Sequence, residues 1–550
     1  MELSIENIKA LYEQAKSYKS DILSSYNETF EYTDAFFKIN DSSSKSKLEK
    51  RKIDSVILTS QRFLCNFIMT SLFSRGGSWA TLKVNPVAYK ELLGEEGETA
   101  QASIERINKV MEKNSEIVYN TIENTNYYTE TSKALMDCER VGTGVRKTVE
   151  LASRTNPITY EYISLDNFYY LEDSFGKPTI TFKIYPEKTR REVEDMFGSL
   201  KGFKLPSKLS EDNDPKKIEN IIEIIIPDFD ESNSKTKYIH QIYTESLEEL
   251  LLDEILDYQP YRVFRWGTDT SNPWGVGIGR ENIDLFKELN DYKTKRQKYA
   301  DKIVDPPVNF RGNLDLIYKV SLAAGARNYA GDGLNGENNL GVEPINLGSN
   351  LLPVEQDIAD SRDRIRAIYM AQPLGDVGDT KNRSATEMSL RHEMFRKEFS
   401  GTYELLNTEL LSVTFLDAYV ILQNKGLLET LEEEEKGNNF LDYSDIQYVN
   451  EITKSAGAEE VMNAVNWYRI NYEMVGEERK QYLMDMTKFA KWSAEKMRIP
   501  LDLLLDESTV KAQMEQEQRI AQLVQLGGIT NPALQGQATE LAGELGGNIE

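Results

Sequence analysis

The chain has very few of the side chains on which disulfide frameworks and Cys/His metal sites depend. Its 550 residues include two cysteines, Cys65 and Cys138, and two histidines, His240 and His392. Disulfide-stapled folds are short secreted chains with many cysteines, so we predict that both thiols are free and buried within helices, in a reducing compartment. Because the histidines lie far in sequence from the cysteines, we predict neither a Cys/His zinc site nor a catalytic triad, and no cofactor.

Long apolar runs and nucleotide-binding motifs are also missing. We find no apolar run near about 18 residues, which argues against a membrane span. Residues 1–6 lack the basic region and following apolar region of a secretory signal. No G-x-x-x-x-G-K-[ST] motif occurs, so no ATP-driven motor is predicted within this chain.

Two weaker patterns have both a functional and a plain interpretation. Gly331 to Gly336 spells G-x-G-x-x-G, but more Gly and Asn follow where a dinucleotide site needs a helix, so a loop is favoured. The acidic pairs Asp228 with Asp230 and Asp376 with Asp379 have the chemistry of a divalent-cation site. Asp is also favoured in Pro- and Gly-containing loops for turn formation alone. Metal catalysis is therefore the minority alternative.

Basic residues are outnumbered by acidic ones. The 65 Lys and Arg residues against 90 Asp and Glu residues give a net charge of −25. A protein that grips nucleic acid is usually basic, because phosphate neutralisation supplies its affinity. An acidic protein that handles DNA is expected to let it pass, as a channel does, although this charge alone fits many cytoplasmic proteins equally well.

The stretch from Trp274 to Gly426 organises the rest of the chain. A Gly-punctuated entry, residues 274–279, leads into a helix predicted for Arg280 to Val304. Its apolar side chains form one stripe, namely Leu285, Leu289, Tyr292, Tyr299 and Ile303. Its charged side chains form the opposite stripe, namely Lys287, Asp291, Lys295, Lys298 and Lys302. We interpret the lysines as a solvated face, or alternatively as a surface against DNA or against carboxylates of an adjacent subunit.

An excursion separates this helix from a second one. Asp305-Pro306-Pro307 ends the first helix, because proline has no amide hydrogen and pushes its predecessor away from helical angles. Short strands are predicted for residues 308–310 and 314–320, before a Gly/Asn tract. The second helix begins at Pro353, which suits a first-turn position, so the excursion projects from the shared end of two helices.

A loop and a long helix complete the stretch. The loop, residues 372–383, is rich in Gly, Pro and Asp, and Ser384 with Glu387 matches a capping box. The helix that it opens is predicted to run to about Asn424, with Gly426 as its stop. About 39 residues make a rod of about 58 Å, longer than one compact core needs. We therefore predict that another copy of the chain is its partner.

The flanking regions predict an α+β, mainly helical protein. Helices are predicted for residues 5–37, 48–73, 104–136, 189–197, 458–469, 477–497 and 502–526. Strands are predicted for residues 79–84, 145–151, 159–163, 168–171, 179–185, 221–226, 238–243 and 261–266, with a turn at residues 173–176. The small, polar tail after Gly528 is expected to be mobile.

This layout resembles the portal protein, or head-to-tail connector, of short-tailed, T7-like bacteriophages. The similar motifs are short, but their order and spacing together are specific, and they extend from Leu48 to Gly426. They are Arg140-Val141-Gly142-Thr143-Gly144, Leu165-Asp166-Asn167-Phe168-Tyr169, Tyr261-Arg262-Val263-Phe264-Arg265-Trp266, Pro273-Trp274-Gly275 through Gly279-Arg280, Asp305-Pro306-Pro307, Leu352-Pro353, and Ser384-Ala385-Thr386-Glu387 with Arg391.

The resemblance implies a portal-type ring subunit with named parts. These are an α+β wing (residues 1–278), a first stem helix (279–304), a small β-containing clip (305–352), a second stem helix (353–371), a tunnel loop (372–384), a long wing helix (385–426), and a helical C-terminal crown with a mobile tail (427–550).

The resemblance also implies roles for particular residues. In the tunnel loop, Asp376, Asp379, Lys381 and Arg383 would face passing DNA, where mixed charge gives low affinity and low friction. The stem's polar stripe would be Lys295, Lys298 and Lys302. In the clip, the contacts with terminase and tail adaptor would involve Asp305, Pro306, Pro307, Arg311 and Tyr318.

The implied protein is a structural, non-enzymatic virion component at the portal vertex of the capsid, assembled in the bacterial host cytoplasm. Its implied partners are eleven further copies in a twelve-subunit ring, double-stranded DNA, the terminase large subunit, the major capsid and scaffolding proteins, and a tail adaptor or collar protein, with no membrane. Two alternatives stay open: another ring-forming tail or adaptor protein of the virion, and a metal-dependent DNA-processing enzyme.

Overall fold

The computed structural model describes residues 5–34, 54–73, 78–85, 98–210, 217–228, 237–304, 308–311, 341–344, 352–371, 397–430, 444–448, 451–474, 484 and 486–497. The chain forms two compact units, residues 1–450 and residues 451–550. The predicted α+β, mainly helical class is confirmed.

Helices make up most of the described residues in both units. In the first unit they are α1 (Ile5–Thr33), α2 (Ser55–Leu72), α3 (Glu98–Glu123), α4 (Tyr127–Val141), α5 (Arg190–Phe197), α6 (Ser207–Ser210), α7 (Ile278–Glu281), α8 (Ile283–Val304), α9 (Leu352–Ile368), α10 (Ser400–Leu406) and α11 (Val413–Asn424). In the second unit they are α12 (Glu451–Met474) and α13 (Met486–Met497). A π-helical turn, Asn407–Ser412, joins α10 to α11.

The strands form antiparallel sheets. They are β1 (Ala80–Val84), β2 (Thr143–Glu150), β3 (Ile158–Tyr162), β4 (Phe168–Glu172), β5 (Pro178–Thr189), β6 (Ile218–Asp228), β7 (Lys237–Thr244), β8 (Leu250–Leu256), β9 (Tyr261–Arg265), β10 (Val308–Arg311), β11 (Gly341–Pro344) and β12 (Ser444–Tyr448). The largest sheet has the order β4-β5-β6-β7-β8, a second has the order β3-β2-β9, and β1 with β12 and β10 with β11 form pairs.

The central strand β6 is buried on both faces. Ile222, Ile224 and Ile226 pack beneath α1, in one core with Ile8 and Tyr12. On the opposite face, Ile221 belongs to the core that α5 covers. Because side chains alternate across a strand, burial on both faces requires the nearly continuous isoleucine run of this segment.

A buried carboxylate interrupts that run. The side chain of Glu223 is 1% exposed, and both of its oxygens accept hydrogen bonds from Nζ of Lys147 at 2.9 Å. The hydroxyls of Tyr185 and Tyr261 donate to Oε2 of Glu223 at 2.8 and 2.5 Å. Burial alone would raise the pKa of Glu223, but Lys147 and His240 hold it well below its usual range. The charge is therefore tolerated inside the sheet.

His240 makes part of the stability pH-dependent. Its Nδ1 lies 2.7 Å from Oε1 of Glu254, and its Nε2 lies 3.0 Å from Oε1 of Glu223. Burial alone would lower the pKa of His240, but these two carboxylates raise it to about 9. The unfolded chain has a histidine pKa of about 6.5. The stabilisation is therefore complete below about pH 6.5 and is lost as the pH rises through about 9.

We expect the His240→Gln variant to reveal this dependence in chemical denaturation. The free energy of unfolding of the wild-type chain should exceed that of the variant most at about pH 6, and the difference should shrink by about pH 9.5. His392 is present in both proteins and cancels in the comparison. A difference that stays constant over this range would contradict the prediction.

The prediction of one continuous helix over residues 104–136 was wrong. The segment is divided into α3 and α4 at Asn124 to Asn126. The side chain of Asn126 forms two hydrogen bonds with the backbone of Tyr160 in β3, donating at 2.7 Å and accepting at 2.9 Å. An asparagine that binds backbone groups elsewhere competes with helix formation. The break thus fixes α4 against the β3-β2-β9 sheet.

The long helix was also predicted with the wrong continuity. Residues 384–396 lie outside the described residues, and from 397 onward the helix is interrupted at Phe399 and contains the π turn. Phe399 leaves helical geometry where its ring packs edge-on against Trp266, at 5.5 Å between centroids. The predicted stop is confirmed: Gly426 has φ +64, its N–H donates to Gln423, and that of Leu427 donates to Leu422.

Residues 400–424 form the core helix of the first unit. By length and apolar composition this segment could cross a membrane, which the sequence analysis did not expect. Its apolar side chains Leu406, Leu410, Phe415 and Ile421 are buried within the unit. It also carries Asp417, which is buried and accepts hydrogen bonds from Arg262 of β9. A buried, ion-paired helix of this kind is typical of a protein core.

The second unit is an α-helical pair in its described part. The glycine at 457 allows the close crossing, because a Cβ there would lie 2.0 Å from the carbonyl oxygen of Lys496. Glu460 forms an ion pair with the same lysine at 2.5 Å. The residues predicted as a helix at 502–526 and the tail lie outside the described residues.

Candidate DNA channel and assembly surfaces

The two predicted stem helices, α8 and α9, form an antiparallel hairpin. At its base, the ring of Phe286 stacks on that of Tyr369 at 6.4 Å between centroids. Farther along, Nη2 of Arg296 lies 3.0 Å from Oε1 of Glu355. Later residues of α8 thus pair with earlier residues of α9, as an excursion projecting from their shared end requires.

One buried carboxylate, that of Asp54, ties both stem helices to the body. It caps the N-terminus of α2 by accepting from the amide of Val56 at 2.9 Å. Its Oδ2 also lies 3.2 Å from Nζ of Lys293 in α8 and 2.8 Å from Nη2 of Arg362 in α9. Burial alone would raise the pKa of Asp54, but the Val56 amide and the two cations lower it. This role of Asp54 was not predicted from the sequence, although an Asp directly before an apolar helix is a capping signal.

The Asp54→Ala variant should therefore be less stable by about 2 kcal/mol, because it loses a helix cap and leaves two cations without their carboxylate. Chemical denaturation of purified protein measures this loss. Asp363→Ala is the matched control, since the Asp363 to Arg366 pair on α9 is exposed and should change stability by less than about 0.5 kcal/mol. Equal effects of the two substitutions would contradict the proposed anchor.

Two glycine-rich motifs interlock at the base of the hairpin. Gly142 ends α4 with φ +104, and a Cβ on it would lie 2.3 Å from the backbone of Gly275. A Cβ on Gly277 would lie 2.5 Å from the amide nitrogen of Gly142 and 2.7 Å from the carbonyl oxygen of Glu139. Only glycine allows backbones to approach this closely. The entry to the stem is therefore packed directly on the end of α4.

The side chain of Trp274, beside this contact, is closely packed. Trp274 is fully buried, its ring lying 4.6 Å from that of Tyr170 and 5.8 Å, edge-on, from that of Tyr26 in α1. The Tyr26 hydroxyl donates to the carbonyl of Gly275 at 3.2 Å. Such aromatic packing fixes the direction in which the stem leaves the body.

The predicted apolar stripe of α8 is buried only near the base. Leu289 and the unpredicted Phe286 are buried, whereas Ile303 is 41% exposed. None of residues 297–304 is buried among the described residues. A single chain therefore covers the proximal half of α8 and leaves the distal half in contact with solvent.

The three lysines of the predicted polar stripe lie together on the exposed side of α8. Lys298 and Lys302 are exposed, and Lys295 forms an ion pair with Asp291 at 2.8 Å, with its side chain 66% exposed. This contact with Asp291 raises the pKa of Lys295. All three lysines are thus available to an external anion or to another subunit.

The segment predicted as the clip is described only in its strands β10 and β11. They pair antiparallel, with Val308 opposite Pro344 and Arg311 opposite Gly341. Arg311 is thus in β10, whereas the predicted contacts Asp305, Pro306, Pro307 and Tyr318 lie outside the described residues, as do the second predicted clip strand and the G-x-G-x-x-G sequence.

The tunnel-loop residues Asp376, Asp379, Lys381 and Arg383 also lie outside the described residues. The described chain that precedes the loop is firmly held. Tyr369 is fully buried and accepts a hydrogen bond from Nε2 of Gln61 at 3.4 Å. The start of the predicted loop is therefore anchored at the base of the stem.

The described residues contain no group of three or more His, Cys, Asp or Glu side chains that could hold a metal ion. Of the predicted acidic pairs, Asp228 lies at the end of β6, and the other members fall outside the described part. Cys65 and Cys138 are free and buried, as predicted. Burial raises the pKa of the Cys65 thiol to about 12, which makes it unreactive near neutral pH.

Comparison with known proteins identifies the family to which the chain belongs. The sequence profile described as bacteriophage head to tail connecting protein matches residues 6–504. No curated protein matches the chain. This family is structural, and its members form a ring assembly that links capsid and tail. The chain therefore belongs to the bacteriophage head to tail connecting proteins and is a structural portal protein of the virion, at the junction of capsid and tail.

Proposed function

We propose that this chain is the portal subunit of a short-tailed, T7-like bacteriophage and that twelve copies form its ring. The observation that carries the proposal is the hairpin of α8 and α9. Its base is tied to the body by Asp54 and by the contact of Gly142 with Gly277. Its distal half is exposed, with Val304 at 85%. A rod that is rigidly held at one end and uncovered at the other suits side-by-side packing around a pore.

The channel carries double-stranded DNA past the tunnel loop, residues 372–384. Lys381 and Arg383 supply phosphate contacts, and Asp376 and Asp379 weaken the overall grip. This balance permits the DNA to slide during packaging and ejection. The chain performs no catalysis, and the terminase motor supplies the energy.

The clip contacts the terminase large subunit during filling and the tail adaptor or collar protein afterwards. Its contact residues are Asp305, Pro306, Pro307, Arg311 and Tyr318. The wing and crown meet the major capsid and scaffolding proteins, and the ring assembles in the bacterial host cytoplasm. No step of this assembly uses a membrane.

Negative-stain electron microscopy of the purified chain tests the central claim. We expect rings of twelve subunits with a central hole wide enough for duplex DNA. A compact monomer whose α8 and α9 are covered by its own chain would refute the proposal.

Neutralising the tunnel loop tests its role. Lys381→Ala combined with Arg383→Ala should change DNA retention in filled capsids several-fold without dissolving the ring, because only the phosphate contacts are removed. Lys9→Ala with Lys16→Ala removes the same charge from the exposed side of α1 and serves as the control. Unchanged retention in the loop variant would refute the assigned role.

A further inference from the structure

The outward faces of the two stem helices carry opposite charge. The exposed charged side chains of residues 293–304 in α8 are four basic ones, Lys295, Arg296, Lys298 and Lys302, and one acidic one, Asp301. The exposed charged side chains of α9 are four acidic ones, Glu355, Asp357, Asp360 and Asp363, and one basic one, Arg364. We propose that the basic face of α8 in one subunit packs against the acidic face of α9 in the next copy, an inference that rests on the proposed ring.

Contacts within the chain leave part of this charge without a partner. Lys293 contacts Asp54, Arg296 contacts Glu355, and Lys295 contacts Asp291. After these pairs, Lys298 and Lys302 on α8 and Asp357 and Asp360 on α9 have no ion pair to any residue within the described ranges, and all four are exposed. They are the groups that an adjacent subunit can pair.

One pair of these charges, Lys298 and Asp357, lies at compatible heights along the stem. The contact of Arg296 with Glu355 places these two residues at one level. With a rise of about 1.5 Å per residue in antiparallel helices, Lys298 and Asp357 differ by about 6 Å in height, whereas Lys302 differs by about 12 Å from Asp357 and by about 16 Å from Asp360. A lysine side chain can bridge the smaller offset, so copies at nearly equal height can pair Lys298 with Asp357. Lys302 and Asp360 add to the opposite charge of the two faces.

The ring symmetry requires such a pair of different faces. Cyclic assembly joins subunits head to tail, so each subunit must present two surfaces that complement each other. The faces of α8 and α9 meet this requirement with opposite charge. DNA could neutralise the lysines instead, but Asp357 and Asp360 would then still have no ion pair within the described part of the chain, which makes the neighbouring copy the better occupant.

Charge reversal tests the inference on the full-length chain. The Lys298→Glu/Lys302→Glu variant should raise the protein concentration for half-assembly at least tenfold, and Asp357→Lys/Asp360→Lys should do the same. The chain with all four changes should assemble like the wild type, because the opposite charges again face each other across every interface. Analytical ultracentrifugation at low salt measures assembly, and thermal unfolding checks that each variant is folded.

The control Lys9→Glu/Lys16→Glu makes the same charge change on α1 and should leave assembly unaltered. This inference would be overturned if both stem reversals left ring assembly unchanged, or if the variant with all four changes did not regain wild-type assembly. Either result would leave the proposed ring intact. Intact rings with altered DNA retention in Lys298→Glu/Lys302→Glu would assign the lysines to DNA and overturn it as well. Failure of the wild-type chain to form rings would overturn both proposals.

Discussion

Replacing Gly277 by alanine should destabilise the first unit by about 3 kcal/mol and reduce the yield of folded protein. The new Cβ would lie 2.5 Å from the amide nitrogen of Gly142, 2.7 Å from the carbonyl oxygen of Glu139 and 2.8 Å from that of Cys138. All three atoms belong to backbone at the end of α4, so no side chain can rotate to relieve the overlap. Overpacking of this kind typically costs up to about 3 kcal/mol.

Thermal and chemical denaturation should both detect the loss in the Gly277→Ala variant. The control is Gly401→Ala in α10, where no atom lies within 4 Å of the added Cβ. That change should be neutral or stabilising by up to about 1 kcal/mol, because alanine favours the helix. A Gly277→Ala protein as stable as the control would contradict this prediction. It would show that the end of α4 and the stem entry can move apart with no loss of stability.

Replacing Arg265 by methionine should destabilise the first unit by about 3 to 5 kcal/mol. The guanidinium is 3% exposed, with Nη2 2.5 Å from Oε1 of Glu409 in the π turn and 2.7 Å from the carbonyl oxygen of Gly176. It also pairs with Glu172. Burial raises the pKa of Glu409, and Arg265 opposes that rise. Without the arginine, a buried carboxylate would remain uncompensated.

A double-mutant cycle separates the contribution of the Arg265–Glu409 ion pair to stability from that of side-chain packing. Arg265→Met with Glu409→Met should recover much of the stability, because an apolar pair of similar volume removes the uncompensated charge. In the single variant the loss should be smaller at low pH, where Glu409 becomes protonated. Lys188→Met is the control, since the Lys188 to Glu192 pair is at the surface and should be worth under about 1 kcal/mol. A double variant no more stable than Arg265→Met would contradict the argument.

Features that depend on neighbouring residues were predicted correctly. The short helix predicted for residues 189–197 forms as α5, with Thr189 as its N-cap, and Gly426 closes α11 in the left-handed conformation. The turn at residues 173–176 forms between β4 and β5, with Gly176 at φ +74. Caps and turns are set by a few consecutive side chains and their own backbone, so one sequence suffices to recognise them.

Features that depend on distant residues were missed. The strand β8, which was not predicted, is one edge of the largest sheet and carries a mixed burial pattern, with Ile255 62% exposed. The π turn places Glu409 against Arg265, 144 positions earlier in the chain. Asp54 meets its stem partners only because α2, α8 and α9 pack together. No local sequence pattern predicts these contacts between distant residues.

The sequence by itself determined that this is a mainly helical α+β protein with a two-helix hairpin at residues 280–368, because periodicity and helix breakers act over a few turns. Its motifs also carried the resemblance to the connector family. Only the tertiary structure decided that Gly142 meets Gly277, that Asp54 holds both stem helices, and that the distal half of α8 stays exposed. Those outcomes depend on which surfaces the folded chain brings together, and this is a property of packing over hundreds of residues.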